Sequence, residues 1–462
     1  MRQVIIMDRS IPLWGFLLCF LIWILFTVSF GWAVKSTLSG SDRSGILGKA
    51  AVEIASFPTI VKTVLLEVTS YSSGSYKDKQ IRVKREGNAD YTGFKPVPTA
   101  SGIDVQGLLM RADPTAMAEG WRLLVGAFTV NGEIENAALL MSPDLEIVRK
   151  WILNEIPVGE LEPRPKHRKF VHGLEILDDG SLIFTFDGSI SLQRIDACGE
   201  RQWATGGKFS HAVNLDDTGE TVWTFSSLDT IAQVAVADGA ILRQISMDEV
   251  ISKNPMIDIL EIRRQHSNDL GENSRDTVGS WMAEKFHFND VDPLPAAIAD
   301  RFDGFDAGDL LISARSLNLL FIIDSDTLEV KWWRVGVVQR QHDPDWLPNG
   351  EIMVLNNRMS RDFSEIISIN PSTFERTTIF DGRQNDFYTR IRGKHQLLDT
   401  GALVVTSSQQ GRAFEVNRDG EVVFEIVNLK PDSDIMNYVI SEMMWLPLNS
   451  FDLRDGKCTQ DN

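Results

Sequence analysis

The sequence predicts an all-β protein, a six-bladed β-propeller preceded by a single N-terminal transmembrane helix. Three observations carry that reading. The run from Ile11 to Val34 holds no charged residue; a strand-turn-strand unit recurs six times between about residues 101 and 450; and a histidine opens five of the six units.

The apolar run IPLWGFLLCFLIWILFTVSFGWAV is long enough, at about 1.5 Å per helical residue, to cross a hydrocarbon core of roughly 30 Å. A cleavable signal has a shorter apolar stretch and a small-residue cleavage site, which does not follow Val34. The reading is a retained anchor. Arg2 and Arg9 before it, against Lys35 and Arg43 after it, favour a cytoplasmic tail over residues 1–10 and export of the rest. Residues 35–100 then form a stalk and linker: mixed helical spacing from Ile46 to Val68, followed by hydrophilic Gly- and Ser-containing sequence. The propeller occupies 101–450, and 451–462 is a tail.

The chain has 462 residues, 43% hydrophobic and 24% charged, enough to bury a large core. A net charge of −18 is the wrong sign for a phosphate-backbone binder, so no nucleic-acid partner is expected. Three cysteines, Cys19, Cys198 and Cys458, build neither a disulfide framework nor a zinc ribbon.

The repeat itself is a meander of short strands with Asp-Gly or Asn-Gly turns: HGLEILDDGSLIF, HAVNLDDTGETVWTF, HDPDWLPNGEIMVL and HQLLDTGALVVTSS each begin a copy. The turn glycine lies eight residues after His172, His211 and His342, and six after His395. A further copy starts at His287 and is interrupted by an acidic insertion holding Asp292, Asp303 and Asp306, read as a solvated loop rather than a metal site. The copy from Gly120 to Trp151 lacks a histidine. Units of about 40–50 residues with four strands each are propeller blades. Between Ile245 and Glu284 the pattern turns helical and then polar, an excursion from the repeat.

The first strand of a blade lies nearest the central channel, so His172, His211, His287, His342 and His395 form a ring there. A single histidine at a blade start also serves simply to tie blades together. Five in one channel point to a ligand, because crowded imidazoles suppress one another's protonation. Matching acidic ligands are limited to Asp290 and Asp343, so an anion held by imidazoles and a guanidinium, from Arg315 or Arg358, is preferred over a metal, and no metal or cofactor is assigned.

The succession FHFNDVDPL, GDLLISARSLNLLFIIDSDTLEVKWWRVG and QRQHDPDWLPNGEIMVLNN resembles the bacterial arylsulfate sulfotransferase family over roughly His172 to Asn428. The resemblance implies a six-bladed propeller with a central funnel. It also implies transfer of a sulfuryl group from a phenolic sulfate ester to a phenol through a sulfated histidine, without a nucleotide. By motif, His287 and His342 match the histidines that polarise the sulfate, Arg358 matches an arginine after the His-Asp motif, and His395 is the expected nucleophile. His172, His211, Asn289 and Arg315 complete the expected substrate site. The family's Asp-Asn-Gly is replaced here by Asn356-Asn357-Arg358. Neither a G-x-x-x-x-G-K-[ST] loop nor a G-x-S-x-G elbow is present, against nucleotide-dependent transfer and ordinary ester hydrolysis. The alternative is a non-catalytic propeller serving as a binding or scaffold module at a membrane surface.

Overall fold

The computed structural model describes residues 12–38, 45–52, 54–55, 82–84, 91–159, 169–260, 286–359, 361–431, 433 and 436–450. The chain divides into two units, residues 1–76 with 265–278, and residues 77–264 with 279–462.

In the smaller unit a 26-residue helix spans Leu13–Leu38, four residues beyond the end expected from hydropathy. Leu13–Thr37 is long and apolar enough to cross a membrane, with a mean hydropathy of 2.3 over its most apolar stretch. Both of its threonine hydroxyls turn back on the backbone, Thr27 Oγ1 donating to Trp23 O and Thr37 Oγ1 to Ala33 O. Residues 45–52 and 54–55 are also helical.

The larger unit is the propeller, six antiparallel sheets whose innermost strands neighbour one another in turn. Blade 2 runs through Val171–Ile176, Leu182–Phe186, Ser191–Ile195 and Arg201–Gly206, and blade 3 through Ser210–Leu215, Thr221–Ser227, Thr230–Ala235 and Ile241–Ser246. Blade 4 runs through Phe288–Pro293, Leu310–Ala314, Leu319–Ile323 and Val330–Val335, and blade 5 through His342–Trp346, Ile352–Asn356, Glu365–Ile369 and Arg376–Asp381. Blade 6 is Lys394–Leu397, Leu403–Ser407, Arg412–Val416 and Val422–Asn428, widened at its outer edge by Leu108–Ala112 and Lys95–Pro96. The copy without a histidine supplies only three strands of blade 1, Trp121–Val130, Glu133–Met141 and Ile147–Ile152. Its innermost strand, Ile440–Leu446, comes from the far end of the chain. The first blade is thus closed by the last strand, which explains why that copy has no inner-strand histidine.

Second and third strands read as continuous apolar runs rather than alternating ones because both sheet faces are covered. Leu310 and Ile312 pack on Phe225 and Ile231 of blade 3, while Leu311 between them packs on Ile352 and Val354 of blade 5. Outer-strand tryptophans bolt adjacent blades together: Trp151 Nε1 donates to Ala197 O, Trp203 to Val236 O and Trp332 to Pro371 O, at 2.9–3.0 Å.

The excursion after Ile245 begins with the helix Met247–Lys253, started by a capping box between Ser246 and Glu249 and burying Met247 and Val250 between blades 3 and 4. Residues 261–285 lie outside the described residues. In the acidic insertion, Asp292 is in the innermost strand of blade 4 rather than in a loop. Lys331 Nζ lies within 3.2 Å of Asp306, Asp309 and Asp324, so the protein's own ammonium sits among those carboxylates.

Candidate active site

Five of the six innermost strands bulge where they approach one another. The irregularity falls at His172 in blade 2, His211 and Ala212 in blade 3, Asn289 in blade 4, Asp343 and Pro344 in blade 5, and Ser441 in blade 1. A bulge inserts a residue and re-aims its neighbours, which lets successive side chains face the channel instead of alternating. The cost is visible in the backbone. His211, His287, Arg340, Asp343 and Arg392 all adopt φ between 49° and 67°, left-handed conformations rare for side chains of this size. Gly173 permits the close approach of blades 2 and 3, because a Cβ there would run into the His211 carbonyl oxygen. Gly393, at φ 104°, sets the turn that separates Arg392 from Lys394.

One small cavity collects these residues. His172, His211, His342 and Arg392 line it together with Asn289, Asp290, Asp343, Lys394 and Ser441. The imidazoles are neutral: burial pushes His172, His211 and His342 well below the ordinary histidine value, aided by Arg392 at His172, by its neighbouring imidazoles at His211 and by Arg315 at His342. The His172 and His211 ring centroids are 3.9 Å apart, and His211 Nε2 is 3.3 Å from His287 Nε2.

The tautomer of His342 is fixed by its surroundings. Asn357 Nδ2 donates to the carbonyls of Thr389 and Arg392, which turns Asn357 Oδ1 toward His342 Nδ1 at 2.7 Å, with Arg340 O at 3.1 Å. Two acceptors place the proton on Nδ1 and the lone pair on Nε2. That lone pair receives the Arg392 N–H at 3.1 Å, beside the cavity. The Arg392 guanidinium lies 3.5 Å over the Phe170 ring, and although burial lowers it to about 10 it remains charged at neutral pH.

Next to the imidazoles lies an acidic group with one ammonium. Asp343 accepts from Lys394 Nζ at 2.5 Å, from the His395 N–H at 2.6 Å and from His395 Nδ1 at 2.8 Å. Burial works against its charge, but Lys394 and His395 outweigh it and hold Asp343 well below the usual carboxylate range. Asp290 accepts from Asn214 Nδ2 at 2.8 Å and lies 3.6 Å from Lys394 Nζ; burial pushes it up to about 6. Burial likewise pushes Glu175 up to about 7 and Glu442 up to about 8. Asp343, Asp345 and His395 offer atoms within 4.8 Å of one another, yet they form a carboxylate–imidazole–carboxylate line whose Asp343 end is saturated by donors, not a coordination shell.

Not every expected site residue reaches the cavity. The His395 ring has 0% exposure and faces Asp343 and Asp345. Blade 6 is the one whose innermost strand pairs without a bulge. In it Lys394 pairs with Thr406, five residues after the turn glycine, as His342 pairs with Leu355 in blade 5. Lys394 therefore holds the register of His342 and lines the cavity, and regular alternation turns His395 away. His287 meets His211, Nε2 to Nε2, at 3.3 Å and is not among the residues lining the cavity. Arg358 is directed to Glu365 at 2.9 Å and lies over the Phe363 ring, outside the cavity lining. Arg315 acts on His172, His211 and His342 through its charge. Arg392, Lys394 and Asn357 were not singled out in the sequence. The six-residue spacing after His395, against eight elsewhere, was the available sign that blade 6 is shifted.

The sequence profile of the arylsulfotransferase (ASST) family matches residues 173–429, more than half of the chain. No curated protein matches it. Among solved structures, a protein of unknown function from Bacteroides caccae is 13% identical, covering 71% of this chain and 98% of its own, with a TM-score of 0.44. Virginiamycin B lyase from Staphylococcus aureus is 12% identical, covering 61% and 88%, with a TM-score of 0.35. BamB from Moraxella catarrhalis is 13% identical, covering 72% and 80%, with a TM-score of 0.31. The match runs from Gly173, in the innermost strand of blade 2, to the outer strands of blade 6, and on it the chain belongs to the arylsulfotransferase family.

Proposed function

We propose that the protein is a membrane-anchored arylsulfotransferase, exported on its C-terminal side, which moves a sulfuryl group from a phenolic sulfate ester to a phenol through a sulfohistidine and without a nucleotide. The observation that carries the mechanism is the fixed tautomer of His342. An imidazole with its proton tied to Asn357 and its lone pair at a cavity lined by Arg392 and Lys394 is a nucleophile placed for an anionic ester. His342 Nε2 attacks sulfur, and the phenolate leaves. Arg392, with the charge of Arg315 behind it, offsets the negative charge on the equatorial oxygens, and His172 and His211 contribute further donors. As the lone pair commits to sulfur, the Arg392 N–H is released toward a sulfuryl oxygen.

In this reading His395 is a positioning residue, holding Asp343 through two hydrogen bonds. Export is supported by the apolar N-terminal helix, long enough to cross a membrane ahead of the propeller.

The full chain in detergent, given 4-nitrophenyl sulfate with no nucleotide, is expected to release about one equivalent of nitrophenol per enzyme without acceptor, and to turn over continuously only when a phenol is present, with sulfated acceptor formed in step with the further nitrophenol. Absence of transfer across a panel of aryl sulfates and phenols would leave the binding-module reading in its place.

A further inference from the structure

The transfer reaction has a proton to move. The leaving phenolate must gain one and the incoming phenol must lose one, so a single group that gives its proton in the first half and takes one back in the second satisfies both. Two carboxylates line the cavity, and their environments pull them apart. Asp343 receives three donors, from Lys394 Nζ and from the N–H and Nδ1 of His395, which commits it to the ionised form. Asp290, only 2% exposed, receives Asn214 Nδ2 on Oδ1, while its Oδ2 has the ammonium of Lys394 at 3.6 Å, outside hydrogen-bond range. One oxygen of Asp290 is thus held in place and the other is left able to carry a proton.

The same bulge brings a second group to the spot. Asn289, next to Asp290, also lines the cavity; its Nδ2 donates to Gln341 O at 2.6 Å, which leaves Oδ1 buried with no donor. A buried acceptor without a donor is costly, and a phenol hydroxyl supplies one. Resting on the arylsulfotransferase reading above, we infer that Asp290 is the general acid and base of the transfer, with Asn289 Oδ1 orienting the phenol oxygen. In the first half-reaction the His342 Nε2–sulfur bond forms and the sulfur–oxygen ester bond breaks, its electron pair going to the phenol oxygen, which takes the Asp290 proton. In the second, the acceptor hydroxyl gives its proton to the Asp290 carboxylate while its oxygen bonds to sulfur and the pair of the nitrogen–sulfur bond returns to Nε2.

The charges facing Asp290 are Lys394 from blade 6, Asp343 and Asp345 from blade 5, Glu442 from blade 1 and Asp292 on its own strand, with the amide of Asn214 from blade 3. Burial, partly offset by Lys394, sets Asp290 near 6, where both protonation states are accessible at neutral pH. The two half-reactions then respond to pH in opposite senses. Donor kcat/KM needs the acid and falls as pH rises through about 6, whereas acceptor kcat/KM, measured on the sulfated enzyme, needs the base and rises over the same interval.

The test combines those profiles with Asp290→Asn. In the variant both limbs are expected to vanish. Sulfation of the enzyme by phenyl sulfate, whose leaving group needs a proton, should slow by about 10²–10³, and sulfation by 4-nitrophenyl sulfate by less than about tenfold. Should the variant fail to fold, Asp290→Glu and the wild-type profiles carry the same question. Equal losses with both donors, or pH limbs that persist in Asp290→Asn, would overturn the assignment. A wild type that transfers nothing from either donor would instead overturn the arylsulfotransferase reading beneath it.

Discussion

His342→Ala is expected to abolish both half-reactions, with neither nitrophenol release from the donor nor sulfated acceptor detectable. The covalent intermediate needs an atom on which to form, and Nε2 of His342 is the cavity-lining imidazole nitrogen whose lone pair is set by partners on the opposite nitrogen. His342→Asn should behave the same way, because an amide keeps polarity without a nucleophilic lone pair. Loss of a charge-stabilising donor is a different kind of defect. Arg392→Gln removes the guanidinium over Phe170 and should slow transfer by about 10²–10³ while leaving the sulfated enzyme detectable. His395→Asn should also retain a sulfated intermediate, since its ring is sealed against Asp343. Stopped-flow release of nitrophenol, with and without acceptor, separates these cases.

The largest stability effect is expected at the seam where the propeller closes. Arg122, in blade 1, is 1% exposed and Glu415, in blade 6, 0% exposed, with Nη2 and Oε2 2.6 Å apart. Arg122 also donates to the carbonyls of Ala118 and Gly120, and its guanidinium lies 4.8 Å over the Phe424 ring. Arg122→Met strands a buried carboxylate and is expected to cost about 3–5 kcal/mol, read as a lowered urea midpoint. The pair Arg122→Met with Glu415→Leu should recover much of that loss, because no uncompensated charge remains. Equal losses in the single and double variants would mean that the packing of the arginine, not the stranded charge, dominates.

Blade number was legible because the repeat is local, whereas the closure of blade 1 by Ile440–Leu446 was not, because that strand pairs far from its own place in the sequence. Each blade announces itself through a turn glycine, a central apolar run and an outer strand often holding tryptophan, and those features are packing requirements of a sheet covered on both faces. What sequence spacing did not reveal is where along each inner strand the side chain turns toward the channel. A single inserted residue re-aims everything after it, and the bulges of blades 1 to 5 leave no residue-type mark. His395 was therefore expected at the ring, whereas Lys394 occupies that register. Arg358, next in sequence to Asn357, was expected at the sulfate, but its guanidinium turns to Glu365 while Asn357 turns to His342. Asn357 escaped notice because an asparagine fixing an imidazole tautomer looks, in sequence, like any strand-end asparagine.

The most direct measurement is to incubate the wild-type protein with an aryl sulfate and no acceptor, digest it without acid, and locate the added sulfuryl group by mass spectrometry. The account predicts an acid-labile group on His342 that disappears when a phenol is added. A group on His395, or an enzyme that transfers sulfuryl groups while no residue is ever labelled, would contradict it.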